Sequence, residues 1–150
     1  MHSTLVMKHK GSISQTYLER DDVEIPRLYK RARQIATYPT TVMRLFEIAA
    51  ELPVKKYYIS DYAAYEYLRQ RFFHNKKITF RSHYKQRLFD ALYQDVKKMM
   101  EQEKYQKMGL MNTTILALGR PAPCIGLSPF VILQRYSLKH SFKNKVIIGP

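Results

Sequence analysis

The spacing of apolar residues predicts helices along most of the chain. Over residues 22–36 apolar side chains recur every three or four positions and therefore share one helical face. These positions are Ile25, Leu28, Ala32 and Ile35. Pro26 belongs in the first turn of this helix, where its missing N–H costs little. The helix should end before Tyr38-Pro39, because the residue before a proline avoids the helical region.

Five further helices follow from the same spacing and from capping residues. We predict them at about residues 41–52, 61–73, 84–104, 112–118 and 129–138. Thr40 or Thr41, Ser60 and Ser128 stand where a side-chain oxygen can cap the start of a helix. Gly109 breaks the chain between the fourth and fifth helices. The basic and then apolar tail, residues 141–150, either adds a strand or packs on the body.

Two similar links precede two of these helices and predict the architecture. PVKKYYIS (residues 53–60) and PAPCIGLS (residues 121–128) each begin with proline and end with a serine cap, and we interpret both as extended. Residues 41–68 align with residues 109–136 without a gap, and apolar character is kept in register. Leu28 and Tyr29 resemble Leu92 and Tyr93 further along, four residues out of phase. The alternative is two unrelated helix–proline–serine units.

The pattern therefore predicts a mainly α fold of about six helices in two similar three-helix, helix-turn-helix-like halves. The halves span about residues 19–75 and 84–138 of a single domain, residues 19–140. The two links are expected to pair antiparallel across a pseudo-twofold axis as a minimal β element. Residues 1–18 are predicted to be an N-terminal arm.

The motifs also carry a resemblance. ERDDVEIPRLYKRAR, followed by a P-x-x-x-Y-x-x-S link, resembles a group of small, uncharacterised basic proteins of gut anaerobes and their mobile elements. In that group an ERD…Y-x-R helix precedes a PAPRFYVS-like motif that recurs near the C-terminus. The resemblance covers most of residues 19–140, but PVKKYYIS lacks the second proline and the arginine. PAPCIGLS has cysteine and glycine where arginine and tyrosine would stand. The resemblance supports the repeat and implies no activity.

Charge is the compositional feature that bears most on function. The chain has 150 residues, 26 Lys and Arg against 12 Asp and Glu, and a net charge of +14. A field of this sign attracts polyanions, so we expect nucleic acid, DNA or RNA, as the partner. The longest apolar runs are too short to span a membrane, and MHSTLVMKHKG does not read as a signal peptide. One cysteine, Cys124, fits a reducing, cytoplasmic setting.

The cations fall into two territories and a third group on the first helix. Seven basic residues and no acid lie between Glu66 and Asp90, and no acid follows Glu103. Phosphate contacts need cations in number, so these residues are the expected nucleic-acid contacts. The candidates are Arg27, Lys30, Arg31, Arg33, Arg69, Arg71, Lys76, Lys77, Arg81, Lys85, Arg87, Arg135, Lys139, Lys143 and Lys145.

The sequence leaves open how the protein would bind nucleic acid, and also a second function. Aromatic residues among the cations of residues 69–87 suit stacking on single-stranded bases. Reading of the major groove is disfavoured, because the helices after both links begin with acidic, aromatic or apolar residues. The alternative function is a protein–protein adaptor or a phage or mobile-element structural protein with a tyrosine-rich interface, which binds a protein partner or a second copy of the chain. Its tyrosines would be Tyr57, Tyr58, Tyr62, Tyr65 and Tyr67, most of them half-buried with hydroxyls at water.

Catalysis finds little support in the sequence. There is no glycine-rich phosphate loop, and the five histidines and Cys124 show no metal-ligand spacing. Cys124 lies in an apolar link, which favours a buried structural thiol. Acids such as Asp90 and Asp95 lie at helix-surface spacings and should pair with nearby Lys or Arg. We therefore predict a non-enzyme with no catalytic residue, no metal site and no cofactor.

Overall fold

The computed structural model describes residues 14–138 and 146–150, and it is mainly helical, as predicted. A π-helical segment, Arg20–Glu24, joins the first two helices. The elements are α1 (Gln15–Glu19), α2 (Ile25–Ile35), β1 (Thr40–Thr41), α3 (Val42–Glu51), α4 (Asp61–Phe73), α5 (His83–Met100), α6 (Glu103–Met108), α7 (Leu110–Leu118), α8 (Pro129–Ser137) and β2 (Val146–Ile147).

The first helix begins earlier than its apolar spacing predicts. Ser14 caps α1 by accepting a hydrogen bond from the Thr16 N–H at 3.3 Å, and helical backbone continues through the π segment into α2. Pro26 therefore lies inside a continuous helix, directly after the π segment. A π turn interrupts the regular i→i−4 ladder, so a residue without an N–H can be accommodated there. Residues 15–18 of the predicted arm belong to α1, and residues 1–13 lie outside the described part of the chain.

Two other boundaries differ from prediction. The predicted fourth helix is divided, because Gln102 is extended and separates α5 from α6. Gly109 has φ +90° and separates α6 from α7, as its position suggested. In the tail, β2 pairs antiparallel with β1, with Thr40 opposite Ile147 and Thr41 opposite Val146.

The two proline-started links cross each other at the centre of the molecule. Val54 donates its N–H to the carbonyl of Ala122 at 3.0 Å, and Ala122 returns the same bond at 3.0 Å. Both residues follow the first proline of their link, so they occupy equivalent positions in the repeat. A reciprocal antiparallel pair of equivalent residues is the arrangement that a twofold relation produces. The predicted antiparallel pairing of the links is confirmed.

The crossing exchanges the last helix of each repeat. α2 and α3 pack against α8, and we call these three helices lobe one. α5 and α7 pack against α4, and we call these lobe two, which α6 flanks. An extended link of eight residues reaches at most about 28 Å, enough to carry the next helix across the axis. The helices on either side of each link thus belong to different lobes, whereas in a helix-turn-helix they share one trihelical unit.

Equivalent positions of the two lobes are filled with different chemistry. In lobe one the hydroxyl of Tyr58 donates to Glu24, whose side chain is fully buried. In the second repeat, the position equivalent to Tyr58 is Gly126, 68 residues later. The position equivalent to Glu24 is Leu88, 64 residues later, because the first helices of the repeats are four residues out of phase. These two residues are in contact, because a Cβ on Gly126 would lie 2.4 Å from Leu88 Cδ2. A polar pair and an apolar pair therefore occupy corresponding sites beside the links.

Candidate nucleic-acid interface

Three arginines of the central basic territory are held by other side chains. Arg71 lies 3.5 Å from the centroid of the Tyr93 ring and 3.4 Å from Asp90 Oδ1, with 18% of its side chain exposed. Arg69 pairs with Glu66 at 3.0 Å. Arg71 thus joins α4 to α5, whereas Arg69 is paired within α4, and much of the charge of both is compensated within the protein.

Arg87 is also paired, but through a contact that is distant in sequence. Its Nη1 lies 2.6 Å from Glu51 Oε2, at the end of α3. The pair joins the last residue of α3 to the second turn of α5, and therefore bridges the two lobes. Arg87 was predicted as a phosphate contact, and the structure places it in this bridge.

The other four cations of the territory remain exposed on one segment. Lys76, Lys77 and Arg81 lie between α4 and α5, and Lys85 lies in the first turn of α5. Within residues 14–138 and 146–150 none of the four has a carboxylate within 4 Å. We call these four residues the connector face. They are close in sequence and carry four positive charges without a paired anion in the described chain.

The backbone of this segment is fixed by specific hydrogen bonds. The Lys76 N–H donates to the Gln70 carbonyl at 3.0 Å, and the Phe80 N–H donates to Gln86 Oε1 at 2.7 Å. Asn75 supplies a left-handed residue with φ +49°, which a short polar side chain tolerates. Ser82 then caps α5 through the Lys85 N–H. The cations are therefore presented by an ordered turn.

An aromatic groove of about 320 Å³ lies beside the connector face. Phe80 packs against Phe89 with ring centroids 4.6 Å apart and against Tyr67 at 5.9 Å. Lys76 and Lys85 border the groove, and Lys85 Nζ lies 4.8 Å from the Phe80 centroid. Tyr67 and Phe89 are buried, but the half-buried Phe80 beside Lys85 is the combination of ring and cation that suits base stacking and phosphate contact on a single strand.

The other aromatic residues of this region differ in how much of their surface is exposed. Phe73, at the end of α4, has 65% of its surface exposed, so its ring is accessible for stacking. Phe72 packs on Tyr93 with ring centroids 5.0 Å apart. Tyr84, in the first turn of α5, is half-buried. Of the aromatics that the sequence suggested for base stacking, Phe73 is the exposed one, and Phe72, Phe80 and Tyr84 are half-buried.

The candidate cations on α2 are likewise partly paired and partly exposed. Arg27 pairs with the buried Glu24, which raises the pKa of the Arg27 guanidinium. Lys30 and Arg31 are exposed, and the Arg31 guanidinium donates a hydrogen bond to the neutral Gln34. Arg33 is half-buried over the Tyr29 ring. Lys30 and Arg31 are therefore the two accessible cations of this set.

Of the candidate contacts in the C-terminal territory, only Arg135 lies among the described residues. Arg135 lies on α8 and is 3.9 Å from Asp21, across the lobe-one interface. Lys139, Lys143 and Lys145 were also predicted as contacts, and they lie outside the described residues. Asp21 itself belongs to the ERD motif, where Glu19 pairs with Lys56 at 2.5 Å and Arg20 pairs with Asp21 at 3.0 Å. This motif fastens α1 and the π segment to the first link and to α8.

The tyrosines of the first link and α4 are more deeply buried than predicted. Tyr57, Tyr58 and Tyr67 are each at most 3% exposed. Tyr57 donates to Asp95 at 2.5 Å, and Tyr67 donates to Asp90 at 3.1 Å. Burial, reinforced by these carboxylates, raises the pKa of Tyr57 and Tyr67. The expectation of hydroxyls at water is therefore wrong for these three, and Asp95 serves Tyr57 rather than a neighbouring cation. Three of the five tyrosines proposed for a protein interface are inside the fold.

The groups that could support catalysis are few. Cys124 is fully buried, its Sγ–H points to the Tyr84 carbonyl at 3.7 Å, and burial raises the pKa of its thiol. That environment disfavours the reactive thiolate. Among residues 14–138 and 146–150, no cluster of three His, Cys, Asp or Glu side chains could hold a metal ion. No helix in the same ranges has the length and apolar character required to cross a bilayer.

The chain matches no protein-family model, and neither the curated proteins nor the solved structures contain a significant match to it. The chemistry of the connector face and its surroundings is therefore the basis on which a function can be proposed.

Proposed function

We propose that the protein is a non-catalytic accessory protein that binds the phosphate backbone of nucleic acid through the connector face. The observation that carries the proposal is the set of four exposed cations without paired carboxylates on one ordered segment, residues 76–85. Most acidic side chains of the chain are engaged with cations elsewhere, so the excess positive charge is left on such surfaces. Lys30 and Arg31 on α2 offer a second set of phosphate contacts.

The surroundings of the connector face favour a single strand as the ligand. Phe73 is exposed at the end of α4, and the aromatic groove with Phe80 opens between Lys76 and Lys85. Bases that are not paired can stack on such rings, whereas bases within a duplex cannot. Neither α4, which begins with Asp61, nor α8, which begins with Pro129, offers the polar N-terminal turn that base reading in a groove requires.

The direct test is binding of fluorescent single-stranded DNA, duplex DNA and RNA of mixed sequence, measured by anisotropy between ~50 and ~200 mM salt. The decisive variant combines Lys76→Gln, Lys77→Gln and Arg81→Gln. Each lost phosphate contact on a single strand should lower the slope of log K against log salt by about 0.7, so the variant should lose about 2.

The matched control removes three other exposed cations and the same net charge. It combines Lys97→Gln, Lys98→Gln and Lys104→Gln, on α5 and α6. We expect the control to bind nearly as the wild type does. Equal losses in both variants would mean that only net charge matters, and absence of binding at low salt would refute the proposal. Salt-tolerant self-association or capture by a protein would instead favour the adaptor alternative.

Stacking is tested separately at Phe73. Phe73→Ala should weaken single-strand binding by about 1–3 kcal/mol and leave duplex binding nearly unchanged. The control is Phe130→Ala, which removes a ring of similar exposure, 58%, from α8. If both substitutions have the same small effect, single-strand stacking at this site is excluded while phosphate binding by the connector face is not.

A further inference from the structure

Arg87 is the most loosely held of the three paired arginines in the central basic territory. Its side chain is 41% exposed, against 31% for Arg69 and 18% for Arg71. Arg69 meets both carboxylate oxygens of Glu66, at 3.3 and 3.0 Å. Arg87 instead meets one oxygen of Glu51 through Nη1 at 2.6 Å, and 52% of the Glu51 side chain is exposed. An ion pair this exposed contributes little to stability, so its guanidinium is available once the carboxylate is removed.

Arg87 also lies close to the connector face. Ser82 caps α5, and Arg81 directly precedes that cap. Arg87 is five residues beyond Ser82, which is about 7.5 Å along the helix axis at about 1.5 Å per residue. A strand in a stacked geometry rises about 3.4 Å per nucleotide, so about two nucleotides cover that distance. A strand bound at Arg81 can therefore reach the Arg87 guanidinium.

The route of such a strand follows from the helical geometry of α5. Two residues turn an α-helix by about 200°, so Arg87 lies on the opposite side of α5 from Lys85. His83 is four residues before Arg87, shares its side of the helix, and is exposed, as Arg81 is. A strand that reaches Arg87 thus leaves the connector face at Arg81 and passes His83, away from the aromatic groove.

Two carboxylates lie near the end of this route. Burial raises the pKa of the Tyr84 hydroxyl, the charges of Glu51 and Glu47 add to the rise, and the charge of Arg87 opposes it. Glu51 is fixed at the end of α3, so it meets the guanidinium at a high effective concentration. A phosphate would have to displace this carboxylate and then remain beside it against like-charge repulsion.

We propose that Glu51 withholds Arg87 from the nucleic-acid strand and thereby sets the affinity of the connector face. In the wild-type protein the strand is bound without Arg87, and the guanidinium becomes a further phosphate contact when the charge of Glu51 is removed. This inference rests on the proposed function, because it assigns an affinity-setting residue to the same site. The pair also joins α3 to α5, so release of Arg87 removes a contact between lobe one and lobe two.

The test is the salt dependence of single-strand binding by charge variants of the pair, measured by anisotropy between ~50 and ~200 mM salt. Glu51→Gln should steepen the slope of log K against log salt by about 0.7, the value of one phosphate contact on a single strand. It should raise affinity about fivefold at ~100 mM salt, since the contribution of such a contact vanishes near ~1 M. Arg87→Gln should leave the wild-type slope unchanged but should remove the whole gain in slope in the Glu51→Gln background.

Glu103→Gln is the control for net charge. It also removes one exposed carboxylate and frees its partner, Lys107, which lies 3.2 Å away. Glu103 begins α6 beyond the far end of α5, whose 18 residues span about 27 Å. We expect Glu103→Gln to keep the wild-type slope. Urea denaturation of both Gln variants should give midpoints near that of the wild type, because both ion pairs are exposed.

The outcomes separate this inference from the proposed function. An unchanged slope in Glu51→Gln, an equal gain in Glu103→Gln, or a shallower slope in Arg87→Gln alone would overturn the inference. The proposed function survives these results as long as the wild type binds and the triple variant of the connector face binds more weakly. Absence of wild-type binding at low salt would refute the proposed function and this inference together.

Discussion

Gly126 is the position in the second link where one added methyl group should disturb the whole core. Its φ is +84°, a left-handed conformation that costs a residue with a Cβ about 1–2 kcal/mol. A Cβ there would also lie 2.4 Å from Leu88 Cδ2 and 3.3 Å from Leu88 Cβ and Cγ. Leu88 is 3% exposed and cannot move into solvent, so repacking should cost about 1–3 kcal/mol more. Gly126→Ala should therefore lower the free energy of unfolding by about 2–5 kcal/mol.

Urea denaturation followed by circular dichroism measures this change, provided that the m-value stays constant. Gly119→Ala is the control, because its Cβ would meet only a carbonyl oxygen at 3.5 Å and its φ is −82°. We expect a change within about 0.5 kcal/mol there. In a Leu88→Ala background the steric part of the Gly126→Ala cost should disappear, leaving about 1–2 kcal/mol of backbone strain. Additive effects of the two substitutions would refute the assignment of the cost to this contact.

Three other predictions concern the polar contacts of the first repeat and the single thiol. Tyr58→Phe removes the donor to buried Glu24 and should lower the free energy of unfolding by about 1.5–3 kcal/mol in urea; an unchanged midpoint would contradict the hydrogen bond. The ion pair with Lys56 lowers the pKa of Glu19, so its stabilisation is present above the unfolded-state pKa and lost as pH falls through the folded-state pKa. Lys56→Gln should flatten the acid side of the stability–pH curve, and wild-type and variant curves that stay parallel would argue against the pair. Cys124 should react with a thiol reagent only in denaturant, and fast labelling of the native protein would contradict its burial.

Local signals in the sequence predicted the elements well because their physical causes are local. Thr41, Ser60 and Ser128 each accept a hydrogen bond from the N–H three residues later, as expected of helix caps. The stripe along α5 is also buried as its spacing predicts. Ile35 was expected on the buried face of α2, but it is the last residue of that helix and is 44% exposed. Its apolar character alone carries no information about where the neighbouring helices end.

The candidate site depended on contacts that sequence reasoning does not reach. The number of cations in residues 69–87 could be counted in advance, but their division into paired and exposed could not. Arg87 is paired with Glu51, 36 residues away, and Arg71 is enclosed by Tyr93 and Asp90. Such pairs form only when the fold has brought separate helices together. The sequence therefore shows which cations are candidates for phosphate contacts. Whether a candidate can bind a phosphate depends on whether another side chain of the protein already pairs with it.

The exchange of helices between the repeats has a consequence for synthesis on the ribosome. α3 ends at Glu51, but α8, which completes lobe one, begins only at Pro129. At about 5–20 residues per second, the nascent chain needs roughly 4–16 s to supply the missing helix. During that interval the apolar faces of α2 and α3 lack their final partner and are open to chaperones or to another nascent chain. Lobe two meets no such delay, because α4, α5 and α7 follow one another along the chain.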